Sequence, residues 1–201
     1  MLFRSLWLKE GFANFMAAKA MEALLPEFPA WVAFHSLKTS AYRTDATRGT
    51  TAIHQPMANL AAAKSAYGNI VYAKAPAILR QAEFFLGEPR FREGVRAFLK
   101  RHAWTNAGWG DLVDALERAS GEKLGDWASA WVERAGMPRV SVQPVVDRRG
   151  QLREIVIGQQ ATGAGPGARS AIWPMKLRVH VLTTTGARQY EIRVVNQRTT
   201  L

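Results

Sequence analysis

Up to about Gly136 the apolar residues recur at the spacing of one helical face, and beyond Pro138 the period shortens to two. Breaks fall at Pro26, Pro29, the Thr/Arg/Gly-rich stretch Thr44 to Thr51, Gly87, the run Asn106 to Gly110, and Gly121. They divide the first part into about five or six helices. The last stretch, from Trp127, ends in Gly136-Met137-Pro138, a residue free to leave a helix followed closely by one unable to continue it. In Lys176 to Val181, Leu177, Val179 and Val181 share one face and Lys176, Arg178 and His180 the other, the pattern of a half-exposed strand. Glu191 to Val194 repeats it across a turn at Thr185-Gly186, and Val140 to Val146 pairs with Gln151 to Ile157 across Asp147 to Gly150. The Gly/Ala/Pro stretch Ala161 to Ser170 is expected to be a loop. The predicted class is α+β in two parts, an all-helical part over residues 1–137 and about four strands of a meander or partial β-sandwich over 138–201.

Leu2 to Leu25 reads as a single helix. At about 3.6 residues per turn, Phe3, Leu6, Trp7, Ala13, Ala17, Met21 and Leu24 gather on one face, with Glu10 in their midst. The residues one turn away from Glu10 on either side are Leu6, Trp7, Ala13 and Asn14, none of them basic. Burying a carboxylate costs several kcal/mol unless a cation or a metal compensates it. Either an arginine from elsewhere in the fold or a metal ion satisfies that requirement, or the site lies at the edge of the core and needs neither. Lys9 projects away from Glu10 on this helix and is expected at the surface.

Composition narrows the classes. With 48% hydrophobic and 21% charged residues the chain is globular rather than disordered. No apolar run is long enough for a membrane helix, and Met1 to Trp7 lacks the succession of a signal peptide. Zero cysteines exclude disulfides, thiolate zinc sites and a cysteine nucleophile. The net charge of +11 is uneven: residues 1–137 hold 17 basic against 13 acidic side chains, and residues 138–201 hold 10 against 3. Arg148, Arg149, Arg153, Lys176, Arg178, Arg188, Arg193 and Arg198 could thus form a basic face for phosphates. Single-strand platforms interleave aromatics with such residues, and here there are only Trp173 and Tyr190, the latter in register with Ile192 and Val194. A solvated strand face is the expectation, with no nucleic-acid partner.

The string around Glu10, Trp7-Leu8-Lys9-Glu10-Gly11-Phe12-Ala13, resembles the WLNEGFA segment of the zinc aminopeptidases of the membrane alanyl aminopeptidase family, gluzincins that include the leukotriene hydrolases. Tyr72 to Arg80 resembles the family's YxKGxxxLR segment, Phe84 to Arg101 the helical pair that follows, and Trp127 to Val140 its exit into a β domain. The resemblance implies the helical C-terminal half of a thermolysin-like catalytic domain and part of a small β-sandwich domain. It also implies Glu10 as one zinc ligand, Tyr72 as hydrogen-bond donor to the tetrahedral intermediate, His54 in a His-Pro loop facing substrate, and peptides as substrates. Lys9 and Ala75 stand where the family commonly has Asn and Gly, and Pro76 predicts a helix that begins close to Tyr72, with an irregular entry segment.

The histidines His35, His54, His102 and His180 include no HExxH pair. The chain is therefore expected to hold one of three protein ligands to zinc, and to need the N-terminal half of the catalytic domain as a partner before it hydrolyses peptides. It reads as a fragment whose Phe3, Leu6, Ala13, Ala17 stripe is left uncovered and favours self-association. A non-catalytic scaffold of the same fold is the alternative.

Overall fold

The structure is a computed structural model describing residues 5–162 and 171–201. Phe3 and the expected loop from Gly163 to Ser170 lie outside them. The helices are α1 (Leu6–Leu24), α2 (Ala30–Asp45), α3 (Leu60–Ala66), α4 (Ala75–Leu86), α5 (Glu88–Arg101), α6 (Trp109–Ser120) and α7 (Gly125–Ala128). Two π-helical turns extend them: Ile70–Lys74 runs into α4, and Ser129–Glu133 prolongs α7. Strands follow as β1 (Met137–Val146), β2 (Leu152–Thr162), β3 (Met175–Thr183), β4 (Gly186–Val194) and β5 (Arg198–Thr200).

The predicted breaks mark helix ends for local reasons. Pro29 stands at the N-cap of α2. The side chain of Asn59 caps α3 by accepting from the Ala62 N–H at 2.9 Å. Gly136, at φ +88°, makes the left-handed exit from the last helical stretch into β1 that a residue with a Cβ adopts only under strain.

β1, β2 and β5 form one antiparallel sheet in that order, and β3 and β4 form a second, two-stranded one. Three details differ from the sequence expectation. β2 continues through Ala161 and Thr162, residues assigned above to the loop, because they pair with Pro138 and Met137. The β3–β4 hairpin begins at Met175 and closes with the pair Thr183 and Gly186. β5 was not foreseen: a three-residue strand carries too little alternation to read. Val179 lies opposite Tyr190 and Leu177 opposite Ile192, so the apolar faces of β3 and β4 coincide as their alternation predicts.

One continuous apolar cluster runs from Trp7, Phe15 and Val71 in the helices to Ile155, Ile157, Trp173 and Val194 in the strands. Polar bonds cross the same seam. Trp131 Nε1 donates to the Pro174 carbonyl at 2.7 Å, and the Arg134 guanidinium donates to the Ile172 carbonyl at 2.8 Å. Arg193 grips the Glu122 carboxylate with two bonds of 2.7 and 2.9 Å. Other basic strand residues are likewise engaged: Lys176 and Arg178 pair with Glu191, and Arg153 with Asp147. These pairings leave less free positive charge on the strands than their composition suggests.

The placement of α1 matters most for the site. Its buried face is Leu8, Gly11, Phe15 and Ala18 together with Leu6 and Trp7, whereas Ala13, Ala17, Met21 and Leu24 are exposed. The uncovered stripe is thus real in its C-terminal part, but Leu6 leaves it, because α1 rolls toward α4 at Gly11. A Cβ on Gly11 would stand 2.7 Å from the Ala75 Cβ, closer than carbon atoms tolerate. We expect Gly11→Ala to destabilise the chain by about 1–3 kcal/mol in thermal denaturation, and Gly11→Ala with Ala75→Gly to recover a substantial part of the loss by exchanging the methyl across the contact.

Candidate active site at the crossing of α1 and the π-turn

Pro76 has no N–H to offer the carbonyl one helical turn back, which belongs to Tyr72. That carbonyl is instead met by the side chain of Asn14, whose Nδ2 donates to it at 3.0 Å. Asn14 lies one turn beyond Glu10 on α1, so this bond fastens the Tyr72 turn to the helix that carries Glu10. Tyr72 does not sit in an irregular entry segment, as Pro76 suggested. It occupies the middle of the π-helical turn Ile70–Lys74, which absorbs the interruption within a continuous helical rod.

Glu10 is half-buried, its side chain 20% exposed, and its nearest cation is Lys9, with Nζ 3.1 Å from Oε1. This corrects the sequence expectation that Lys9 points away: the four-carbon stem is long enough to fold back along the helix surface. Lys9 is 76% exposed, so the contact is a surface ion pair and a weak one. No guanidinium meets Glu10 among the described salt bridges. The hydrogen bond to Glu10 and its charge hold the Lys9 ammonium above its ordinary value, with smaller contributions from Tyr67 and Tyr72. Burial, then the negative charge of Glu10, then Tyr67 raise the Tyr72 phenol above the usual tyrosine value. Tyr67 stacks on Tyr72 with centroids 6.0 Å apart and planes 23° from parallel. Glu10, Lys9, Tyr67 and Tyr72 therefore share one electrostatic neighbourhood although α1 and the π-turn are far apart in sequence.

The site holds a half-buried carboxylate and a phenol kept protonated at neutral pH, a donor suited to a developing negative charge. Among the described residues no group of three or more His, Cys, Asp or Glu converges as a metal site. His54 is half-buried: its backbone N–H donates to the Val132 carbonyl at 2.8 Å and its ring rests 5.5 Å from that of Trp109. No described hydrogen bond joins it to Glu10 or Tyr72.

Sequence reasoning passed over a buried ionic network beside this site. Lys74, two residues after Tyr72 and 5% exposed, places Nζ 2.7 Å from Asp45 Oδ2 and donates to the Gly136 carbonyl at 2.7 Å. Asp45 is 2% exposed and its other oxygen accepts from the Gly136 N–H at 3.2 Å and the Thr50 hydroxyl at 2.7 Å. Burial lowers the Lys74 pKa and Asp45 opposes the shift. Lys74 stands in the Tyr72 to Arg80 string and Asp45 in the Thr44 to Thr51 break between helices, and nothing in either local pattern tells that they meet. Removing one partner of a buried pair typically costs about 3–5 kcal/mol. Lys74→Met is expected to lose stability on that scale in urea unfolding, and Asp45→Leu with Lys74→Met to lose clearly less, because no lone charge is left inside.

The raised phenol makes a second prediction. Glu10→Gln removes a negative charge near Tyr72, so the phenolate forms at lower pH; an ultraviolet absorbance titration, with Tyr72→Phe as the blank, reads the change. An unmoved Tyr72 transition would mean the two groups are not electrostatically coupled.

Residues 2–131 match the family model described as the peptidase family M1 domain. The chain is 33% identical over 191 residues to aminopeptidase N of Streptomyces lividans, covering 92% of this chain and 22% of that protein. It is 32% identical over 177 residues to the puromycin-sensitive aminopeptidase of Caenorhabditis elegans, covering 88% and 19%. Against aminopeptidase M1 of Arabidopsis thaliana it is 30% identical over 172 residues, covering 86% and 19%. The chain thus spans 22% or less of the length of these three relatives. The matched segment contains both Glu10 and Tyr72 and extends over all of the helices but the end of the last π-turn, and on that ground the chain belongs to peptidase family M1.

Proposed function

We propose that this chain is part of a zinc-dependent aminopeptidase that releases single residues from the N-termini of peptides. The observation that carries the reading is the meeting of Glu10 and Tyr72 at one crossing, bound together through Asn14. In this reading Tyr72 donates its phenolic hydrogen to the oxygen that becomes negative as the peptide carbonyl turns tetrahedral. Its proton is secure at neutral pH for the reasons given above, so the group acts as donor without itself changing charge. Glu10 offers one anionic oxygen to a divalent cation, and the Lys9 ammonium marks where positive charge is already favoured. The remaining ligands would come from residues beyond those of this chain, and zinc, once held by the full set, would supply Lewis-acid chemistry. His54, in this reading, lines the approach for substrate rather than binding metal. Residues 1–137 would be the helical part of the catalytic domain and 138–201 part of the small β domain.

A second reading has one observation in its favour. Because an ammonium, that of Lys9, already stands beside Glu10, the second reading is a non-catalytic scaffold of the same family, in which the carboxylate has no metal to hold.

The test is made in an enzyme that contains this chain and the missing half of the catalytic domain. Glu10→Ala is expected to lose bound zinc by elemental analysis. Tyr72→Phe is expected to keep zinc and lose about a hundred- to a thousandfold in kcat. Full kcat in Tyr72→Phe would remove the assigned role, and a wild-type protein without zinc would favour the scaffold.

A further inference from the structure

We infer that the Asp45–Lys74 pair is a positioning device for the Tyr72 ring, an inference that rests on reading Tyr72 as the oxyanion donor. A donor of this kind must be held within about 0.5 Å of its working position. Tyr72 stands in a π-turn followed by a proline, where its N–H is bonded to the Gly68 carbonyl but the rung that residue 76 would donate is missing. Its neighbourhood adds side-chain tethers to that ladder.

On one side Asn14 takes the Tyr72 carbonyl. On the other, Lys74 leaves the last residue of the same turn and is held at two points, the Asp45 carboxylate on the end of α2 and the Gly136 carbonyl at the entry to β1. Asp45 in turn is held by the Gly136 N–H and the Thr50 hydroxyl, so neither partner of the pair is free to swing. The turn bearing Tyr72 is thereby referenced to three separately anchored elements, α1, α2 and the junction before β1. Stability alone gives little reason for this choice: well-packed apolar residues at the two positions would commonly serve as well or better. What an ammonium held by two acceptors supplies in addition is direction, since moving the turn breaks both bonds at once. Lys74 and Asp45 are accordingly positioning residues, not catalytic ones.

The experiment uses the 201-residue chain, labelled with 3-fluorotyrosine and read by fluorine NMR. Its four tyrosines give four signals, with Tyr72 identified by Tyr72→Phe. The double variant Asp45→Leu with Lys74→Met removes the pair without leaving a buried charge. Asp45→Asn, which keeps the volume and an oxygen for Lys74 but removes its countercharge, is the second variant, used if the double variant does not fold. In the folded variant the Tyr72 signal should move or split, with Tyr67 following through their stacking, while Tyr190 on β4 stays in place. An unchanged Tyr72 signal in either folded variant overturns the inference.

A second measurement separates this claim from the catalytic reading. In an active aminopeptidase containing this chain, the double variant should lose on the order of tenfold to a hundredfold in kcat with KM little changed. If Tyr72→Phe abolishes kcat and the folded double variant retains it, positioning by the pair is wrong and the role of Tyr72 stands. If Tyr72→Phe retains kcat, the catalytic reading fails, and the fluorine signals alone decide whether the pair holds the ring.

Discussion

A lysine ammonium and an aspartate carboxylate face each other out of reach of water and tie together three parts of this fold. Lys74 and Asp45 are 5% and 2% exposed, so each depends on the other for charge and on Gly136, with Thr50 also serving Asp45, for its remaining hydrogen bonds. Burial of two charges is tolerated only where geometry is good and the remaining polar groups are satisfied. The end of α2, the π-turn before α4 and the exit from the helices must therefore arrive together. Gly136 is central to that meeting: its left-handed backbone lets both its N–H and its carbonyl face the pair, and the same turn starts β1.

The candidate site is built from the consequences of two small residues and one ring. Gly11 lets α1 come within contact of Ala75, which brings the Glu10 face of α1 alongside the π-turn. Pro76 withholds an N–H, and the carbonyl it leaves unpaired becomes the acceptor for Asn14. The interruption that first suggested loose geometry around Tyr72 is thus what fastens Tyr72 to α1. Electrostatics then follow from proximity: burial and then Glu10 raise the phenol, and Glu10, with smaller contributions from the phenols, raises Lys9. The apolar face running on from Glu10 through Ala13 and Ala17 to Leu24 stays open to solvent in this chain.

Where sequence reading fell short, it did so for identifiable reasons. Helical projection treats a side chain as a point at a fixed angle, and Lys9 defeats it because a flexible stem can bring its head back to the neighbouring Glu10. Leu6 was assigned to the open stripe because a projection carries no information about what lies on either side of the helix. β5 and the last residues of β2 owe their strand character to partners, Val156 to Gly158 in one case and β1 in the other, rather than to their own alternation. The strand faces of β3 and β4, by contrast, were legible, since a half-exposed antiparallel pair shows its two sides in strict alternation.

The sequence by itself determined the change from helical to strand periodicity near Met137, the helix breaks at Pro29, Gly87 and Gly121, and the family strings around Glu10 and Tyr72. Those are local properties, set by backbone freedom, missing donors and the spacing of apolar residues. Only the tertiary structure decided that Glu10 would share its surroundings with Tyr72, that Asn14 would answer Pro76, and that Lys74 would close on Asp45. Each of those pairings depends on how closely helices distant in the chain approach one another. That approach is fixed by packing at Gly11 and Gly136, and no short window of sequence contains both sides of it.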